Sequence, residues 1–401
     1  MEAKDIFPAL LTPEGLADPY PLYAALHEIG DVIAADGVVV IPGYEVASAV
    51  LRNPLFLVAD AARYDEIMPG WRDHPSMSME SILSLNQPEH GRIRSLISRA
   101  FTQRRVTALE PAIAAMTTRL LDDIAERGAD GNAVEFMHDF AFLLPVTVIC
   151  ELLGIPAADR EGFRPLARAL VATLEPMSTK EQWQAADVAA VELDEYFTAL
   201  VADRRADPRD DLISALTGIN DAGDGRLSDT ELLSNLTLLL VAGFETTANL
   251  LGNGLRIVLA DPALADELRD GVVPVAAFVE EVLRYDSPVQ LTSRRSAEAV
   301  DIGKQRVTPA EEIVLMLGAA NRDPHHFTEP DSFNPSRSDS GPLSFGAGAH
   351  FCIGSALARL EAAVAFPQIL GRFPDMTAAG EPVRKNGLVL RGYESLPVAV
   401  A

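Results

Sequence analysis

The chain has 401 residues, 48% of them hydrophobic, with 58 acidic side chains against 33 basic ones and a net charge of −25. That apolar content is ample for a large core, while so acidic a chain excludes nucleic acid as a natural partner and makes each group of basic residues worth locating. Two cysteines, Cys150 and Cys352, exclude a disulfide framework and fit a reducing compartment.

The first residues lack the basic start and apolar stretch of a signal peptide. The most apolar run, residues 236–244, is far short of the ~20 residues that span a bilayer. A soluble cytoplasmic protein without membrane contact is therefore expected.

Asp18 and Pro19 open a helix reaching about residue 28, and residues 32–41 read as a hairpin turning at Asp36-Gly37. A short helix over 47–51 closes at Asn53-Pro54. Residues 60–84, with Pro69, Gly70, Trp71, Pro75 and three methionines, show no clear period and read as a long functional loop with one helical turn. Helical patterns follow over 89–101, 106–127, 139–153, 159–173 and 180–206, and Cys150 reads as apolar filler. The break at 174–178 forms a corner between two helices.

The longest helix opens with the capping box Ser228-Asp229-Thr230-Glu231 and runs to about residue 259. Its middle, residues 238–244, is apolar all round and should be buried, which makes the following Glu245-Thr246 unusual, because acids rarely sit in such places without a partner or task. A helix from Pro274 to Tyr285 carries Glu281 and Arg284. Short strands are expected over 289–291, 300–302 and 313–317, then a helix over 353–371 and strand-like pieces at 388–390 and 396–400. No repeats or linkers appear, so residues 1–401 read as one mainly α domain with a small β region.

The densest stretch is Phe345-Gly346-Ala347-Gly348-Ala349-His350-Phe351-Cys352-Ile353-Gly354. Its glycines let backbone approach something large and flat, and Cys352 precedes a helix whose N-terminus favours a thiolate. One shielded thiolate facing a planar ligand suits an axial ligand to haem iron. A buried structural cysteine is the plainer alternative for a lone Cys.

These features together resemble the cytochrome P450 haem-thiolate monooxygenases in their soluble bacterial form. The cysteine loop fits that family at every fixed position, Ala242-Gly243-Phe244-Glu245-Thr246-Thr247 fits its oxygen-activation signature, and Glu281 with Arg284 fits its ExxR pair. Pro88-Glu89-His90 with Arg94, and residues 320–324, also read as family segments. The resemblance runs from about Asp18 to the C-terminus.

It implies the cytochrome P450 fold, with a long buried helix over haem b and Cys352 as iron ligand. Phe345, Gly346 and Gly354 line the ligand loop, and Ala242 and Gly243 flank the haem. Glu245 and Thr246 deliver protons for dioxygen cleavage, with Thr246 bonding back to Ala242 so that the helix opens beside Gly243. Glu281, Arg284 and Arg337 form a structural triad, and His90, Arg94, Arg294 and His350 meet the haem propionates.

The implied reaction inserts one oxygen atom from O2 into an organic substrate, a medium-to-large apolar secondary metabolite. Peroxide-driven oxidation, oxidative coupling and a non-catalytic haem sensor or carrier remain as alternatives. Trp71, Met77, Met79, Met177, Leu239, Val289, Leu291 and Tyr393 are the expected substrate contacts. With no GxGxxG after a strand, electrons come from a ferredoxin and its reductase, with Arg104, Arg105 and Arg359 as a basic docking patch.

Overall fold

A computed structural model describes residues 2–35, 37–221, 227–309, 311–339 and 341–400. The chain divides into two compact units. One comprises Met1–Leu57, Ile113–Leu144 and Thr246–Ala401, the other Val58–Ala112 and Pro145–Glu245. Five helices carry most residues of interest: α1 (Glu89–Ala100), α2 (Lys180–Ala206), α3 (Asp229–Ala260), α4 (Val275–Tyr285) and α5 (Ser355–Arg372).

The first unit holds a five-stranded sheet of β1 (Ile33–Ala35), β2 (Val38–Ile41), β3 (Phe56–Leu57), β4 (Thr292–Ser296) and β5 (Glu312–Leu315), in the order β1-β2-β5-β4-β3. The expected hairpin forms, pairing Ile33 with Val40, though Asp36 of its turn lies outside the described residues. β2 runs parallel to β5, and Arg294 of β4 lies opposite Ile313 of β5. Val39, Ile41, Ile313 and Leu315 build a core that also takes in Leu343 and Ala347. The start of the cysteine loop is thus seated in the same core as the sheet.

The second unit is helical, and its α2 has the predicted bounds. α3 runs between the units in sequence. Its capping box is made, with Glu231 N–H donating to Ser228 Oγ and Ser228 N–H to Glu231 Oε2. Its 32 residues extend roughly 48 Å. Two expectations for it change. The helix is unbroken through Gly243, and its apolar middle, residues 238–244, is not buried on every side. Ser234, Leu238, Val241, Ala242 and Thr246 form a stripe that is not fully buried, with Ala242 exposed.

Other differences have local causes. The pattern read as one helix over 139–153 is a π-turn at Met137–Ala141 followed by Leu143–Leu153. Short helices at Ala3–Leu10, Pro13–Ala17, Leu212–Asp221 and Pro262–Arg269 escape the periodicity reading. The last of these starts at once after α3, since Asp261 caps Leu264 N–H and Pro262 takes the first helical position. The expected strand at 388–390 is only an isolated bridge from Leu390 to Val289. No helix among the described residues is long and apolar enough to cross a membrane.

Candidate active site

In the first unit the cysteine loop is built by backbone. Cys352 N–H donates to the Phe345 carbonyl at 2.9 Å, closing the loop three residues before α5 begins. Gly346 and Gly348 both have φ of +68°, and a Cβ on Gly348 would run into the Leu51 carbonyl. Only glycine fits there. Cys352 is exposed, whereas Cys150 is buried and desolvation pushes its thiol up to about 12. Of the two thiols, only Cys352 is placed to be a thiolate ligand.

The loop is fixed from several sides. Leu343 N–H donates to Asn321 Oδ1 at 2.7 Å, Asn321 Nδ2 to Ser344 Oγ at 2.8 Å, and Ser344 Oγ to the Leu283 carbonyl at 2.6 Å. Beside this seat, Glu281 accepts from Arg284 Nε and Nη2 at 2.9 and 2.8 Å, from Arg337 Nε at 2.8 Å and from Asn334 N–H at 2.8 Å. Arg284 also donates to the Asn321, Pro330 and Ser332 carbonyls. The three predicted side chains are therefore assembled, with Glu281 and Arg284 buried and Arg337 half-buried, and are bonded to the segment leading into the cysteine loop.

Arg294 is 7% exposed, and among the described residues its guanidinium donates to Thr292 Oγ1 and the Ser293 carbonyl. Desolvation lowers it to about 10, with no carboxylate among the described residues to offset the cost. A buried cation of this kind calls for an anionic group from outside the protein, which fits a carboxylate of the expected haem. In the pairing register Arg294 is buried opposite Ile313, while its neighbour Arg295 is half-buried. His350 is half-buried in the loop.

In the second unit, α1 places His90 and Arg94 one turn apart. His90 is 1% exposed, and burial first, then Arg94, lowers its pKa, so it is neutral at pH 7. α3 carries exposed Ala242, half-buried Gly243 and buried Glu245, and Gly243 also admits the side chain of Ile149. Thr246, half-buried, opens the last segment of the first unit.

The expected substrate contacts divide between the units. Val289 and Leu291 pack against the first unit's core clusters, and Tyr393 is buried with the Arg384 guanidinium 3.9 Å above its ring. In the second unit Trp71 is buried and its indole donates to Asp65 at 2.9 Å, Met77 and Met79 are half-buried, Leu239 is buried, and Met177 is 73% exposed.

The segment around Met77 is tethered twice, which sequence reasoning did not foresee. Asp187 of α2 accepts from Ser76 N–H and Ser76 Oγ at 3.2 and 2.6 Å and lies 2.7 Å from His74 Nδ1. Asn235 of α3 accepts from Ile82 N–H and donates to the Glu80 carbonyl. Nothing in the sequence links His74 to a residue 113 positions away. The pairing of Glu280 with Arg359, 79 positions apart, was likewise unforeseen.

A family profile described as cytochrome P450 matches residues 35–276 and 274–387. The chain is 41% identical over 345 residues to cytochrome P450 107B1 of Saccharopolyspora erythraea, covering 85% of this chain and 80% of that one. It is 35% identical over 396 residues to the 6-deoxyerythronolide B hydroxylase of the same organism, covering 95% and 96%. Among solved structures it is similar to P450BioI in complex with a hexadec-9Z-enoic acid-ligated acyl carrier protein. That likeness has a TM-score of 0.88 and 34% identity over 97% of this chain and all of the other.

Proposed function

The chain belongs to the cytochrome P450 family and is a haem-thiolate monooxygenase, and on that premise we propose that it hydroxylates or epoxidises a medium-to-large apolar natural product. When bound, haem b supplies dioxygen binding and one-atom oxygen transfer, which a thiolate ligand favours. The reading rests foremost on the cysteine loop, which holds the exposed Cys352 between the Phe345 carbonyl and the start of α5.

Cys352 would hold the iron. The first unit offers buried Arg294 and half-buried His350 as partners a propionate would take, and the second, taken by itself, offers His90 and Arg94. Neutral His90 serves as a hydrogen-bond partner and Arg94 as a charge. Thr246 and Glu245 hold and pass protons, a task suited to a buried carboxyl beside a hydroxyl. The open stripe of α3 at Leu238, Val241 and Ala242, with Met77 and Met79, offers the apolar lining that such a substrate needs.

A macrolide or a long acyl chain is the substrate class of choice. The relatives support this, because one is named for hydroxylating 6-deoxyerythronolide B and another was solved with a fatty acyl group on a carrier protein. Residues 1–401 are one cytochrome P450 domain that works in the cytoplasm and takes electrons from a ferredoxin and its reductase.

The test is a spectral titration of the holoenzyme with macrolactones and fatty acyl compounds, followed by turnover under labelled dioxygen. A low-spin to high-spin shift and one labelled atom in the product are expected. Unlabelled product formed only with added peroxide would overturn the dioxygen reading.

A further inference from the structure

We propose that Glu280 and Arg359 form a positioning pair that acts on Cys352 through the ring of Phe345. The inference rests on the reading of Cys352 as the iron ligand. Arg359, in the second turn of α5, donates through Nε and Nη2 to the two carboxylate oxygens of Glu280 on α4, the latter bond at 3.1 Å. This fork fixes the plane of the guanidinium, which lies 4.4 Å from the centroid of the Phe345 ring. The Phe345 carbonyl in turn accepts from Cys352 N–H. A short physical chain therefore joins Glu280 to the cysteine.

The pair is poorly explained as a stability device. Its side chains are 36% and 32% exposed and border a cavity of about 410 Å³ beside Gly346 and Phe351, where an ion pair contributes little. It is also poorly explained as a docking cation, the role the sequence suggested for Arg359, because Glu280 largely cancels the charge a partner would feel. A planar fork stacked on an aromatic ring does what a lysine or a free arginine could not: it holds the ring in one place. α4 thus serves the loop with neighbouring carboxylates, Glu281 gripping the approach to it and Glu280 the ring inside it.

The proposal is tested by the midpoint reduction potential of the holoenzyme in Arg359→Gln, Glu280→Ala and Phe345→Leu. Arg359→Gln and Glu280→Ala each release the guanidinium from the ring, so both should shift the potential in the same direction. A pair acting only through its electric field would give opposite signs, since one change removes a positive charge and the other a negative one. Opposite signs, or no shift in either, overturn the proposal.

In the Phe345→Leu background Arg359→Gln should add no further shift, and an undiminished one also overturns it. The first comparison stands even if Phe345→Leu fails to retain haem. The carbon-monoxide band of the reduced parent is recorded first. Its absence would overturn the ligand assignment and the pair's role with it, whereas its presence with opposite-signed shifts overturns the pair alone.

Discussion

Arg337 Nε donates to Glu281 Oε2 at 2.8 Å across 56 residues of sequence, and the same oxygen accepts from Arg284 Nε at 2.9 Å. One carboxylate thus ties a helix turn to the segment that enters the cysteine loop. Glu281 is 2% exposed, so losing a partner leaves charge uncompensated in a dry place. Arg337→Ala should destabilise the chain by about 3–5 kcal/mol and lower haem retention. Arg337→Lys should recover only part of this, because an ammonium cannot also reach Asp339 and the Thr328 carbonyl as the guanidinium does. Denaturant unfolding and haem-to-protein ratio measure both.

Asp187 gathers His74 and Ser76, while Asn235 holds residues 80–82. Asp187→Ala removes the acceptor for a backbone N–H, a hydroxyl and an imidazole at once. Amide exchange over residues 74–78 should rise by roughly tenfold or more, the equivalent of about 1–3 kcal/mol of lost hydrogen bonding. The amide of Ile82 should stay protected. Equal protection in parent and variant would show that the Asp187 contacts do not order the segment.

Glu361 of α5 is 1% exposed, has no hydrogen-bond partner on Oε2 among the described residues, and is held protonated by burial well above the usual carboxylate range. In the unfolded chain the same group ionises at about 4.3. Above that pH and below the raised folded value, the unfolded chain binds fewer protons than the folded one, so stability falls as pH rises. Glu361→Gln removes this slope. Its unfolding midpoint should gain on the parent between pH 5 and pH 8, and a constant difference across that window would contradict the burial argument.

Thr246 is half-buried on an unbroken helix next to buried Glu245. With a substrate in hand, Thr246→Ala should retain NADH consumption but divert most of it to peroxide or water, whereas Thr246→Ser should keep product formation. Full coupling in Thr246→Ala would remove the proton-delivery role.

Much of this was legible in the sequence wherever the signal is local or the spacing rigid. The capping box of α3, the bounds of α2, the hairpin strands and the Glu281–Arg284 pair all follow from residues within a few positions of one another. The open stripe on α3 was not legible, since Leu238 and Val241 read the same whether they face a core or a cleft. Short helices such as Leu212–Asp221 were missed for lack of periods to count, though Asp211 caps Ser214 N–H. Contacts such as Asp187 with His74 and Glu280 with Arg359 are set by tertiary packing and leave no spacing to read.

The account turns on Cys352 as the thiolate ligand, and the difference spectrum of the reduced, carbon-monoxide-bound protein tests it most directly. The purified holoenzyme should show the strongly red-shifted Soret band of a thiolate-bound haem, and Cys352→Ser should lose that band while Cys150→Ser keeps it. A thiolate-type band that survives in Cys352→Ser would contradict the account.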